Sequence, residues 1–109
     1  MTVESLIKEL KLKTISLPSK DREIDGVYIG DLLSWVMGNA NADDLWITIM
    51  SNINIVAVAS LTDAACILLA ENVSIDETVL ETAMAKGVNI LSTPRSAYEA
   101  ATLASETLR

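Results

Sequence analysis

Histidine and phenylalanine are absent from this sequence, and cysteine occurs once. Without histidine the chain lacks the usual general acid and base of neutral-pH catalysis and the commonest transition-metal ligand. No set of cysteine, histidine and carboxylate stands at metal-ligand spacing, so neither a metal nor a cofactor is expected. The lone Cys66 lies in the apolar stretch Ala64-Ala65-Cys66-Ile67-Leu68-Leu69-Ala70, where a thiol serves as a small buried hydrophobe rather than a nucleophile. Glycine is scarce as well: the residues at 26, 30, 38 and 87 fit neither G-x-G-x-x-G nor G-x-x-x-x-G-K-[ST], which excludes both phosphate-cradling loops. Gly26 and Gly30 are read as turns before and after a strand. With these parts missing, an ordinary enzyme is not expected.

Base is missing from the middle of the chain. Residues 1–22 carry five bases and three acids, residues 23–85 carry ten acids and no base, and residues 86–109 carry three bases and two acids, for a net charge of −7. Nucleic-acid affinity rests on Lys and Arg against phosphate, so no nucleic-acid polymer is expected as a partner. Carboxylate pairs at 43–44 and 76–77 stand before or at the start of elements, where solvation and helix-dipole roles account for them. Half of the residues are apolar, yet no apolar run reaches the length needed to cross a bilayer, so no membrane association is expected. Met1-Thr2-Val3-Glu4 does not open like a secretory signal, and a cytoplasmic home is the expectation.

The 109 residues suit one domain, 1–109, with no repeat or linker. Thr2 is a candidate cap for a helix over about Val3 to Leu10, with Leu6, Ile7 and Leu10 as its apolar stripe. Short β-like runs at Ile15 to Leu17 and Val27 to Ile29 flank a charged loop; a helix follows from Asp31 and stops at Gly38-Asn39. Leu45 to Met50 reads as a strand, Ile53 to Leu61 as a helix and Ala65 to Ala70 as a buried strand. Ser74-Ile75-Asp76-Glu77 reads as a capping box for a helix ending at Lys86-Gly87. Val88 to Leu91 is the next strand, and Thr93-Pro94 places proline at the first position of the last helix. Repeated strand-then-helix units predict an α/β class: a single three-layer domain with a mostly parallel sheet of about four to five strands and helices on both faces.

In open parallel sheets ligands sit beyond the carboxyl ends of the strands. Those ends gather Asp31, Thr48, Ser51, Asn52, Asn54, Thr93, Arg95 and Ser96, whose side chains and adjoining helix N-termini suit a polar or modestly anionic small molecule. The competing reading is that the same residues only cap helices. The helix Ile53 to Leu61 is apolar around most of its circumference and has little face for water. Two explanations stand side by side: a homodimer through this helix, or cover from other helices of the same chain.

The stretch Asp21-Arg22-Glu23-Ile24-Asp25-Gly26-Val27-Tyr28-Ile29-Gly30-Asp31-Leu32-Leu33-Ser34 resembles the DRTGG domain. Trp46 to Ile49 running through Asn54 to Ala59, and Ile90 to Pro94 followed by Ser96 to Ala100, resemble stand-alone members of that family. Asp21 and Arg22 match the first two motif positions and Gly26 a motif glycine, while Glu23-Ile24-Asp25 and Val27 depart from the motif. The resemblance implies a non-catalytic α/β domain of the kind attached to phosphotransacetylases or CBS-containing pyrophosphatases, and similar to the N-terminal domain of HPr serine kinases. It leaves three readings. One is a regulatory or sensor domain that binds a small polar molecule, a nucleotide among the candidates, and acts through dimerisation or docking to a partner enzyme. Another is a purely structural dimerisation scaffold. The third is a remnant of an HPr-kinase-like enzyme without its P-loop half. Asp21 is expected to end its loop and Arg22 to pair with a nearby carboxylate.

Overall fold

The computed structural model describes residues 1–108. The first helix, α1 (Val3–Leu10), opens on Thr2, whose Oγ1 accepts from the Ser5 N–H at 3.1 Å, and it closes on Lys11 in the left-handed region. Then follow β1 (Lys13–Ser16), β2 (Gly26–Ile29), α2 (Leu33–Asn39), β3 (Asp44–Thr48), α3 (Asn54–Thr62), β4 (Cys66–Leu69), α4 (Glu77–Lys86), β5 (Ile90–Ser92) and α5 (Ala97–Leu108). The strands form one sheet in the order β1-β5-β4-β3-β2, with β2 to β5 parallel and β1 antiparallel to β5. This is the expected mostly parallel α/β domain. Among the described residues no helix is long and apolar enough to cross a membrane.

Alternation along the strands builds two cores. Leu45 and Ile47 of β3, Cys66 and Leu68 of β4 and Leu91 of β5 face α1 and α5. Trp46, Ile67, Leu69 and Ile90 face the other way, onto α2, α3 and α4. Strands covered on both sides read as continuous apolar runs, which is why β3 and β4 were legible as buried. Trp46 sits wholly inside, and its indole Nε1–H donates to Gly30 O at 2.9 Å, so the one polar atom of that side chain is satisfied.

Several boundaries differ from expectation for local reasons. The capping box at Ser74 to Glu77 does not form; Asp76 is the cap of α4, accepting from the Val79 N–H at 3.0 Å. Pro94 is not in a helix. It lies in the turn before α5, whose true box is Ser96 with Glu99: the Glu99 N–H donates to Ser96 Oγ at 3.2 Å and Ser96 Oγ to Glu99 Oε1 at 3.2 Å. Helix α2 runs through Gly38 to Asn39, and β5 begins at Ile90, two residues later than expected. Gly87 does end α4 in the left-handed region, at φ 73°.

The turn reading of Gly26 and Gly30 is corrected. Neither has positive φ; Gly87 is the only described glycine that does. A Cβ on Gly26 would lie 2.7 Å from Asp44 Oδ1, and one on Gly30 would lie 2.9 Å from the Tyr28 ring and 3.2 Å from Val36. Both glycines are there because side chains of neighbouring elements occupy the space a Cβ would need.

Candidate functional site

Three places in this fold bring polar or exposed apolar groups together: the amino ends of the strands, their carboxyl ends and the outer surface of the helix layer. The amino ends of the strands hold the motif arginine. Arg22 Nε and Nη2 donate to Asp43 Oδ1 at 3.0 and 2.8 Å, and Nη2 also reaches Asp63 O at 2.7 Å and Asp63 Oδ1 at 3.0 Å. Asp43 precedes β3 and Asp63 caps α3, and both adopt left-handed backbone, at φ 67° and 58°. Burial disfavours the guanidinium charge, but the hydrogen bonds to Asp43 and Asp63 and their negative charge outweigh it and raise the Arg22 pKa above its usual value. One side chain thus ties the approach to β2, the start of β3 and the end of α3. Asp21 is exposed in the turn beside it and makes no side-chain hydrogen bond among the described residues.

Asn89, which no sequence pattern singles out, makes a second clamp nearby. Its buried amide donates to Ser19 O at 2.8 Å and to Ala65 O at 3.0 Å and accepts from the Ser19 N–H at 2.9 Å. The loop 19–25 is therefore fastened to β5 and β4 as well as to β3. Cys66 is completely buried between these clamps and the α1/α5 core, and burial pushes its thiol up to about 12, so it stays protonated and unreactive at neutral pH.

The carboxyl ends of β2 to β5 do lie on one edge of the sheet, and the predicted ligand residues divide there into two groups. Near β2 and β3, Thr48 Oγ1 and the Ile49 N–H donate to Asp31 Oδ1 at 2.8 and 3.0 Å, and the Met50 N–H donates back to Thr48 Oγ1 at 3.1 Å. Asn52 Oδ1 accepts from the Asn54 N–H at 2.9 Å, and Ser51 is exposed beside it. On the other side of β4, Thr93 is buried, Arg95 Nη1 donates to Leu10 O at 2.7 Å and Ser96 caps α5. Two strand spacings, roughly 10 Å, part β3 from β5.

The crevice that the parallel-sheet rule points to would open between β4 and β5, because α4 and α5 leave those strands toward opposite faces. It is closed. The Glu71 N–H donates to Arg95 O at 2.8 Å and the Asn72 N–H to Thr93 O at 2.9 Å, with Glu71 and Asn72 both held in the left-handed region. The polar side chains at this edge bond mainly to their own fold, although α2 and α3 have no side-chain cap and only Ser96 caps the helix that follows it, and none of Asp31, Ser51, Asn52, Thr93 and Arg95 lines a described groove.

The third place is a surface groove of about 350 Å³ between α3 and α4, lined by Ile53, Asn54, Val56, Ala57, Leu61 and Lys86 among others. Helix α3 buries Ile55, Val56, Val58 and Ala59 within its own chain, so cover from the same chain accounts for much of its apolar surface and a strip is left exposed. That strip is Ile53, Ala57, Ser60 and Leu61, exposed and carrying no charge, with Leu61 71% accessible and Met84 of α4 51%. Other helices of the chain do the rest.

Comparison with known proteins gives a consistent picture. The sequence model of the DRTGG domain matches residues 5–107. No curated protein matches the chain. Among solved structures, the CBS and DRTGG domains of the regulatory region of Clostridium perfringens pyrophosphatase, complexed with the activator diadenosine tetraphosphate, superpose with a TM-score of 0.76 at 12% identity. The match covers 94% of this chain and 45% of that one, so the chain spans about half of that regulatory region.

Proposed function

The chain belongs to the DRTGG domain family, and from that membership we propose that it is a regulatory module acting by assembly, through a homodimer across α3 and docking to a partner enzyme. The observation that carries this reading is the uncharged strip Ile53, Ala57, Ser60 and Leu61 beside the α3/α4 groove. Ala57 and Ser60 permit close approach of a second helix, and a two-fold axis through them lets each Leu61 meet the groove of the other copy. The self-satisfied carboxyl edge supports assembly ahead of ligand capture as the main activity.

Sedimentation of the wild type beside Ala57→Arg tests it. The expected result is a dimeric wild type and a monomeric, folded variant; a monomeric wild type overturns the dimer.

A second reading, a sensor of a small polar molecule such as a nucleotide, draws support from the activator held by the pyrophosphatase regulatory region. That region contains CBS domains as well as a DRTGG domain. A thermal shift with diadenosine tetraphosphate, together with mass spectrometry of whatever copurifies, decides it: no shift and no bound molecule overturns the sensor.

A further inference from the structure

The sheet has two outer edges, and the chain treats them differently. Strand β1 carries Lys13, breaks register between Thr14 and Ser16, and has the start of α4 beside it. A charge, a bulge and a covering helix are the devices that keep an edge from pairing with another chain. Strand β2, Gly26-Val27-Tyr28-Ile29, has no charge and no proline, and its four residues pair with β3 in unbroken register.

The free backbone of β2 can be assigned. The Gly30 N–H donates to Ile47 O at 3.2 Å; a parallel strand turns alternate residues to its neighbour, so Tyr28 shares that side and Val27 and Ile29 point their N–H and C=O groups outward. Just upstream the same edge already receives the extended residues that lead into α1. The Asp25 N–H also donates toward β3, to Asp43 O, so the alternation shifts by one residue between Asp25 and Gly26. Before that shift the Ile24 N–H points outward and donates to Met1 O at 2.8 Å and the Val3 N–H donates to Arg22 O at 2.9 Å, with Thr2 and Glu23 paired antiparallel. A strand laid antiparallel along Val27 to Ile29 would lie on the same side, one residue out of phase with that pairing.

Side chains frame the edge. A groove of about 380 Å³ runs between Ile29 and the residues Tyr98, Ala101, Thr102, Ser105 and Glu106 of α5. Tyr98 is 79% exposed and Ile29 48%. From Tyr98 to Glu106 the helix rises about 12 Å, close to the span of a four-residue strand, about 13 Å. Among the described residues, the exposed side-chain charges Asp25, Asp31 and Glu106 near the edge are acidic, and the cations beside it are already held, the Met1 ammonium by Glu23 at 2.9 Å and the guanidinium of Arg22 by Asp43 and Asp63.

We propose that the outer edge of β2 pairs with an extended segment of a partner protein, one that alternates apolar side chains with lysine or arginine. The outward amides of Val27 and Ile29 bond its backbone, the α5 groove takes its apolar side chains, and the acidic rim selects its cations. A second copy of this chain fits poorly. The antiparallel two-fold register that uses both Val27 and Ile29 sets Asp25 of one copy opposite Asp31 of the other, twice, and like charges directly opposed destabilise a strand pair. The proposal names the docking half of the proposed function and is independent of α3, so the test is run on Ala57→Arg as well as on the wild type.

The probe is a fluorescein-labelled Lys-Val-Thr-Val-Lys-Val-Lys peptide, compared with its Glu-for-Lys counterpart and with a form N-methylated at alternate residues. The full chain is expected to bind the first, with slowed amide hydrogen exchange at Val27 and Ile29, and to bind either of the others about tenfold or more weakly. Ile29→Lys and Tyr98→Ala, both at exposed positions, are each expected to weaken the first peptide. Equal binding of the N-methylated or the Glu peptide overturns the proposal, as does peptide binding without protection of those two amides. Protection that appears without peptide and grows with protein concentration assigns the edge to a second copy and also overturns it.

Discussion

Replacing Arg22 with alanine removes the fork that joins the approach to β2 to Asp43 and Asp63. The guanidinium is 29% exposed and makes two bonds to Asp43 Oδ1 and two to Asp63. Charge-assisted bonds of this kind contribute on the order of 1.5–3 kcal/mol when desolvated, while exposed ion pairs contribute about 0–1 kcal/mol. The Asp43 pair belongs nearer the first range and the Asp63 carboxylate, 69% exposed, nearer the second. The variant also leaves the carboxylates of two left-handed residues, Asp43 and Asp63, without a cation between them. A loss of about 2–4 kcal/mol follows, which for a domain of this size lowers Tm by roughly 8–25 °C. Arg22→Lys should recover only a small part, because one ammonium cannot reach three acceptors with the geometry of a planar fork. Urea denaturation of wild type, Arg22→Ala, Arg22→Lys and the Arg22→Ala/Asp43→Asn pair measures the loss and its coupling. A loss below about 0.5 kcal/mol, or strict additivity of Arg22→Ala and Asp43→Asn, would refute the staple.

Other substitutions probe other parts of the argument. Gly26→Ala should cost about 1–3 kcal/mol in chemical denaturation, because its Cβ meets Asp44 Oδ1 at 2.7 Å while that carboxylate holds the Asn41 N–H. Gly38→Ala, with nothing within 4 Å and an ordinary helical backbone, should instead stabilise by about 0.5–1 kcal/mol. Cys66 gives a pH dependence of defined sign: burial raises its folded pKa from 9.0 to about 12, so its contribution is complete below pH 9 and falls as pH rises from 9 to about 12, where the unfolded thiol ionises first. Stability of the wild type should therefore drop faster than that of Cys66→Ala across pH 8–10.5, by up to about 1.4 kcal/mol per pH unit; parallel curves would show that Cys66 is not buried. The same thiol should react with a disulfide reagent only as fast as the chain unfolds.

Local chemistry was enough to specify the class of this protein from its residues. Apolar runs at β3 and β4, the helical stripe of α1 under its Thr2 cap and the glycine stop of α4 each depend on neighbours within a few positions, and each appears where the pattern puts it. The motif arginine and its need for a carboxylate were legible for the same reason, since ten acids follow it with no other base before Lys86. Which carboxylates it takes was not, because Asp43 and Asp63 stand 21 and 41 residues away and meet Arg22 only when β2 and β3 lie side by side. The antiparallel β1 at one edge and β2 at the other are likewise a matter of strand order, which no local period encodes. The carboxyl-edge residues could be named from their chemistry, but that backbone bonds from Glu71 and Asn72 cross between β4 and β5 to the turn before α5 is visible only in the tertiary structure. A residue such as Asn89 is silent in sequence, since its meaning is the buried gap between Ser19 and Ala65 that it fills. Composition and periodicity report what a side chain wants from its surroundings; only the tertiary structure decides which distant group supplies it.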